Sequence, residues 1–128
     1  MENLSVVVDT KALISTVKRA AMMTADDIPL HVTVGEGEIT VSAEGVRGNA
    51  HAACDADVVG GEEMTLVFRA GYLNAALAEI RAPFVELRIG EKNTRPVLFV
   101  PVSDERKPLD DYVHVVQPID LSRVRAAQ

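Results

Sequence analysis

One pattern occurs twice in this chain at an offset of 60 residues, and it governs what the chain is able to fold into. Residues 6–20 (VVVDTKALISTVKRA) superpose on residues 66–80 (LVFRAGYLNAALAEI), with Leu13 falling on Leu73 and Val17 on Leu77. Further along, Val32-Thr33-Val34-Gly35-Glu36 falls on Leu87-Arg88-Ile89-Gly90-Glu91. The repeated unit reads as strand, helix and then three strands. Such a unit presents one apolar helix stripe and one apolar sheet face, and has nothing of its own to cover both. Two of them are expected to close on each other as one α+β body, with two helices side by side packed on antiparallel sheet. The competing explanation is a chance match of patterns, since few residues are identical between the halves. At 128 residues the chain has room for one domain, read here as 1–128, with halves at about 4–58 and 64–121 and a tail at 122–128.

Periodicity gives the elements. Leu4–Asp9 is a short β-branched run, and Asp9 and Thr10 are both good residues to cap a following helix. From Lys11 to Met23, Leu13, Ile14, Val17, Ala20 and Ala21 form one apolar stripe, with Lys11, Ser15, Lys18 and Met22 opposite. Asp26, Asp27 and Pro29 stop it. Leu30, Val32 and Val34 then alternate with His31 and Thr33, and after Gly35-Glu36-Gly37 the alternation resumes, which predicts a hairpin. A further strand is expected over Gly48–Asp57. In the second half the expected elements are a strand at Met64–Arg69, a helix at Ala70–Arg81, and strands at Phe84–Ile89, Pro96–Val102 and Tyr112–Gln117. Pro96 and Pro101 suit strand ends.

Composition narrows the function. The net charge is −6, from 19 acids and 13 bases, so strong autonomous nucleic-acid binding is disfavoured, although a local basic face is compatible with it. With no Trp and five Phe or Tyr residues, the chain is poorly equipped to stack on single-stranded bases. The single cysteine, Cys54, excludes an internal disulfide and reads as a small, partly buried side chain, with nothing to mark it as a nucleophile or ligand. No secretory signal or membrane span is evident, which points to a cytoplasmic protein with no membrane partner.

Four stretches resemble the C-terminal (third) domain of the bacterial sliding clamp, the DNA polymerase III beta subunit. They are the helix ending in RAAMMT, the hairpin LHVTVGEGEITVSAE, the segment FRAGYLNAALAEI, and the close RPVLFVPV…DDYVHVVQPIDL, which together span residues 5–121. The resemblance implies a DNA-clamp-like fold, in which domains of this kind form a ring around duplex DNA with helices lining the hole and sheets outside. It implies no catalysis and no cofactor. Partners would be apolar peptide motifs of polymerases and repair proteins, other clamp-like domains, and double-stranded DNA held without sequence preference inside a ring.

The same resemblance names a peptide pocket. Tyr72 stands at the family's pocket tyrosine, Arg69 where many clamps carry Asn, and Thr94 and Pro96 match the strand wall. Val115, Val116, Gln117, Pro118, Ile119, Asp120 and Leu121 match the closing pocket strand. An apolar floor from Val115, Val116, Pro118, Ile119 and Leu121 suits the anchoring of large apolar side chains. Clamps commonly place Met at the positions of Gln117 and Ile119 and a basic residue at that of Asp120. Gln117 thus puts an amide where an adaptable thioether is usual, and leaving that amide buried and unpaired costs about 1–3 kcal/mol. Asp120 would repel acidic peptides, and residues 122–128 run past the family's usual end. The whole segment also reads as an ordinary last strand with a frayed tail.

Lys11, Lys18 and Arg19 match the DNA-facing side, whereas Gly71 and Ala78 occupy the positions that match Lys11 and Lys18 in the second half. A solvated face of an amphipathic helix explains the same charges. One chain supplies one such domain where a clamp subunit has three. Either it is part of a longer clamp, or it is the C-terminal clamp-like domain of a helix-turn-helix transcription regulator, serving oligomerisation or ligand and partner binding. Catalysis has little to recommend it. His31, His51 and His114 are isolated, with no spacing for metal ligands. The acid pairs Asp26-Asp27, Glu62-Glu63 and Asp110-Asp111 fall in expected turns. Alternation puts His31 and His114 on the polar faces of their strands.

Overall fold

Asp9 ends the first strand, β1 (Leu4–Asp9), and caps the helix after it, α1 (Thr10–Ala21): its Oδ1 accepts the Ala12 N–H at 2.9 Å. A computed structural model describes residues 4–21, 29–45, 48–60, 63–90, 92–105, 107, 109 and 113–119, so the Met22 and Met23 end of the expected helix lies outside the described residues. Leu13, Val17 and Ala20 are buried along one stripe while Lys11, Ser15 and Lys18 are exposed. Thr16, fully buried between them, donates its hydroxyl to the Ala12 carbonyl at 2.7 Å, one turn back.

The hairpin forms as expected from β2 (Pro29–Gly35) and β3 (Glu38–Gly45). Its two-residue turn places Glu36 at φ 47° and Gly37 at φ 82°, the positive-φ pair that matches strand twist. The expected strand at 48–57 is two elements, β4 (Gly48–Asp55) and β5 (Asp57–Val59). They part at Ala56, whose N–H bonds the Gly37 carbonyl at 2.9 Å, and β5 then leaves β3 and pairs with β1.

The second half follows with β6 (Met64–Arg69), α2 (Ala70–Ala78), β7 (Phe84–Ile89), β8 (Val97–Val102) and β9 (His114–Val116). Helix α2 is shorter than the expected 70–81. The Glu79 N–H reaches back to Ala76 O at 3.3 Å and the Ile80 N–H to Leu77 O at 3.1 Å, tightening the last turn. Pro83 disfavours the helical region for Ala82, so the helix has no room to run on through the expected end. Pro101 lies inside β8 opposite Val85 and is not a strand end. Its missing N–H is tolerated because pairing with β9 stops at Phe99. His114 also differs from expectation. It shares the face of buried Val116, while Val115 between them points outward.

Two antiparallel sheets result, ordered β5-β1-β7-β8-β9 and β4-β3-β2-β6. The halves exchange their first strands. Strand β1 pairs with β7, from Leu4↔Ile89 to Asp9↔Phe84, and β6 pairs with β2, from Met64↔Val34 to Arg69↔Pro29. Both helices pack into the core that the sheets share, with Leu13 and Val17 from α1 and Leu73 and Leu77 from α2. Phe68 and Phe99, one from each sheet and both fully buried, meet edge to face with ring centroids 6.3 Å apart. Such a pair adds roughly 0.5–1.5 kcal/mol beyond its burial. No helix among the described residues is long and apolar enough to cross a membrane.

Candidate functional site

Strand β6 runs straight into α2 through Arg69, which takes the extended conformation of a cap (φ −73°, ψ 129°) and makes no side-chain capping bond. Ala70, Leu73 and Leu77 then point into the core. Tyr72, Ala75, Ala76 and Glu79, spaced i, i+3, i+4 and i+7, line the side facing β9. Across from them stand His114, Val115, Val116 and Gln117, and the two rows bound an open groove of about 350 Å³. Tyr72 is 68% exposed and Val115 63%, so each leaves most of a large apolar surface to solvent at the groove's edge. Ala76 and Val116 are buried beneath.

Of the expected pocket residues, the groove brings together Tyr72, Val115, Val116 and Gln117. Arg69 is exposed at the start of α2, and neither it, Thr94 nor Pro96 lines the groove. Thr94 contributes through its backbone: its carbonyl accepts the Gln117 Nε2–H at 2.8 Å. The same nitrogen lies 3.4 Å from the Pro118 carbonyl, so the amide is exposed and bonded rather than buried and orphaned. Pro118 and Ile119 are not floor residues. Pro118 is buried, and the Ile119 N–H donates to the Val67 carbonyl at 2.7 Å, tying the chain's close to the edge of β6. Asp120, Leu121 and 122–128 lie outside the described residues. The sequence reading missed Ala75, Ala76, Glu79 and His114, although the helical spacing from Tyr72 carried the signal for the first three.

Lys11, Lys18 and Arg19 are all exposed on α1. Lys11 also borders a wider cleft of about 660 Å³ between the start of α1 and the end of α2, where Arg81 and Asp9 join it. The matching positions on α2 are Gly71, Ala78 and the acid Glu79, all exposed. Among the described residues no group of three or more His, Cys, Asp or Glu side chains is placed to hold a metal ion.

The family profile of the DNA polymerase III beta subunit, C-terminal domain, matches residues 2–115. The chain belongs to that family. No curated protein matches it significantly. Solved structures give the same fold. A DNA polymerase sliding clamp from Pseudomonas aeruginosa superposes with a TM-score of 0.80 at 20% identity, covering 91% of this chain and 31% of that one. A DNA polymerase sliding clamp from Caulobacter crescentus gives 0.77 at 24%, covering 91% and 30%. A sliding clamp from Pseudomonas aeruginosa bound to griselimycin gives 0.79 at 19%, again covering 91% and 30%. The chain thus spans about a third of the length of the clamps it resembles. The sliding-clamp family is a non-catalytic processivity factor of replication. These matches lend no support to the transcription-regulator alternative.

Proposed function

We infer that this sliding clamp-like domain docks short apolar peptides of replication or repair proteins in the groove between α2 and β9. One observation carries the reading: Tyr72 and Val115 hold most of their apolar surface in solvent on either side of a concave floor of small side chains. Exposed aromatic and aliphatic groups rimming a hollow are what an anchoring residue needs. Together with other clamp-like domains it would contribute to a ring on DNA in the cytoplasm. There α1 would present Lys11, Lys18 and Arg19 to the phosphates of a duplex, without sequence preference. The uneven helix faces imply that α1 does most of this and α2 little.

Fluorescence titration with a labelled peptide bearing two large apolar residues tests the groove. Tyr72→Ala and Val115→Asp, both at exposed positions, are each expected to weaken binding about tenfold while leaving the fold intact. Binding that both variants leave unchanged would place the peptide elsewhere and overturn the reading.

A further inference from the structure

The sheets end on edges of unequal length and cover. Strands β5 and β9 present three residues each. The outer edge of β6 is already engaged: the Ile119 N–H bonds the Val67 carbonyl at 2.7 Å, and the Asn93 side-chain amide bonds that of Thr65 at 3.1 Å. Strand β4 pairs with β3 along its whole length, from Gly48↔Gly45 to Asp55↔Glu38, and among the described residues nothing pairs with its other side. The register shows which groups point that way. One step past Asp55↔Glu38, the Ala56 N–H bonds the Gly37 carbonyl, so by alternation Ala52 and Cys54 also turn their backbone groups to β3. His51, Ala53 and Asp55 therefore aim theirs outward, and all three residues are exposed. Native proteins guard such an edge with lysine, proline or a bulge, and 51–55 carries none of the three.

We propose that β4 pairs antiparallel with β4 of a second copy of this chain, about a two-fold axis at Ala53. In that register every outward N–H and C=O from His51 to Asp55 finds a partner, and two four-stranded sheets become one. Charge selects both the register and the occupant. His51 of each chain faces Asp55 of the other, twice over by symmetry, and an imidazole donates to a carboxylate whether or not it carries the second proton. Asp55 already lies across from Glu38 in its own sheet, so a basic neighbour on its open side offsets an acid pair. A two-fold at His51 or at Asp55 would set like side chains face to face, and one at Ala52 would set His51 against Ala53. The strand is thus complementary to itself, as a closed two-fold interface requires. One short strand pair buries little surface, which makes the dimer a transient one. The contact uses neither α2 nor β9, so it stands or falls separately from peptide docking.

Sedimentation equilibrium of the full chain over about 5–500 μM tests the proposal, and a monomer–dimer equilibrium with no larger species is expected. His51→Asp and Asp55→Lys, both at exposed positions, should each weaken the dimer about tenfold, because each sets like charges opposite one another twice. The two together should restore it to within about threefold, and His51→Lys alone should tighten it about fivefold. Ala53→Cys, made in a Cys54→Ala background, should cross-link the dimer on mild oxidation. Directly opposed residues of this kind lie about 5.5 Å apart between Cα atoms, within the reach of a disulfide. A monomer at every concentration would overturn the proposal. So would a dimer indifferent to positions 51 and 55, or single losses that the double substitution fails to rescue. Assembly beyond the dimer would mean that β4 meets a different edge of the next copy, and a dimer abolished by Val115→Asp would place the contact at β9; either result overturns it as well.

Discussion

Cys54 lies half-buried on β4 opposite Ile39, and its thiol is held above the ordinary value of 9.0. Burial is the main cause, the side-chain hydrogen bond with Thr16 works against it, and nearby Asp55 adds to the upward push. A group that keeps its proton longer folded than unfolded adds stability below its unfolded value, and that contribution is lost as pH rises through the folded value. Denaturant midpoints measured from about pH 8 to pH 10.5 should therefore fall at the alkaline end, and Cys54→Ala should flatten that part of the slope. An identical slope in the variant would show that Cys54 does not contribute. The sequence reads Cys54 as a small, partly buried side chain, and it is one, packed against the core without belonging to it. It misjudged Gln117, since the Thr94 carbonyl that receives its amide is 23 residues away and no local pattern announces it.

At the level of elements, the duplication makes a controlled comparison of two helix starts. Asp9 and Arg69 occupy equivalent positions, each the residue before a helix, but Asp9 bonds the Ala12 N–H and Arg69 bonds no N–H of α2. A good cap is worth about 1 kcal/mol over a poor one. Asp9→Ala is expected to lower unfolding stability by about that amount, and Arg69→Asp to raise it by a similar amount, both read by urea denaturation. A stabilisation absent at position 69 would mean that the first turn of α2 already finds its partners in water. Both helices were legible because their stripes run for several turns. The end of α2 was less so: Ile80 continues the apolar stripe, and the constraint from Pro83 acts through the backbone. Strand β5 was missed because its three residues are short of any periodic signal and its partner, β1, lies some fifty residues back.

For the whole molecule, the exchange of first strands matters most. A sequence repeat shows that two units must share a core, but pattern alone does not say that β1 sits in the other half's sheet. The pairing shows it, and the closing segments repeat the exchange. Asp57 of β5 pairs opposite Val7, and the Ile119 N–H reaches Val67, the residue 60 positions after Val7. Each half therefore lends the other's sheet its first strand, with a closing segment paired alongside that strand. Cut between 60 and 63, the first piece would hold β2 without its neighbour β6, and β1 without its neighbour β7. Neither piece has a complete sheet, and each would expose core side chains, Leu30 and Val34 in the first and Phe68 and Phe99 in the second. Fragments 1–60 and 61–128 are accordingly expected to be largely unfolded alone by circular dichroism, and to regain strand and helix signal when mixed in equal amounts. The intact chain should unfold in one cooperative step. A first fragment that folds alone with native-like stability would mean that β1–β5 carry a self-sufficient core, and the exchanged strands would then be ornament rather than the bond that makes one body of two repeats.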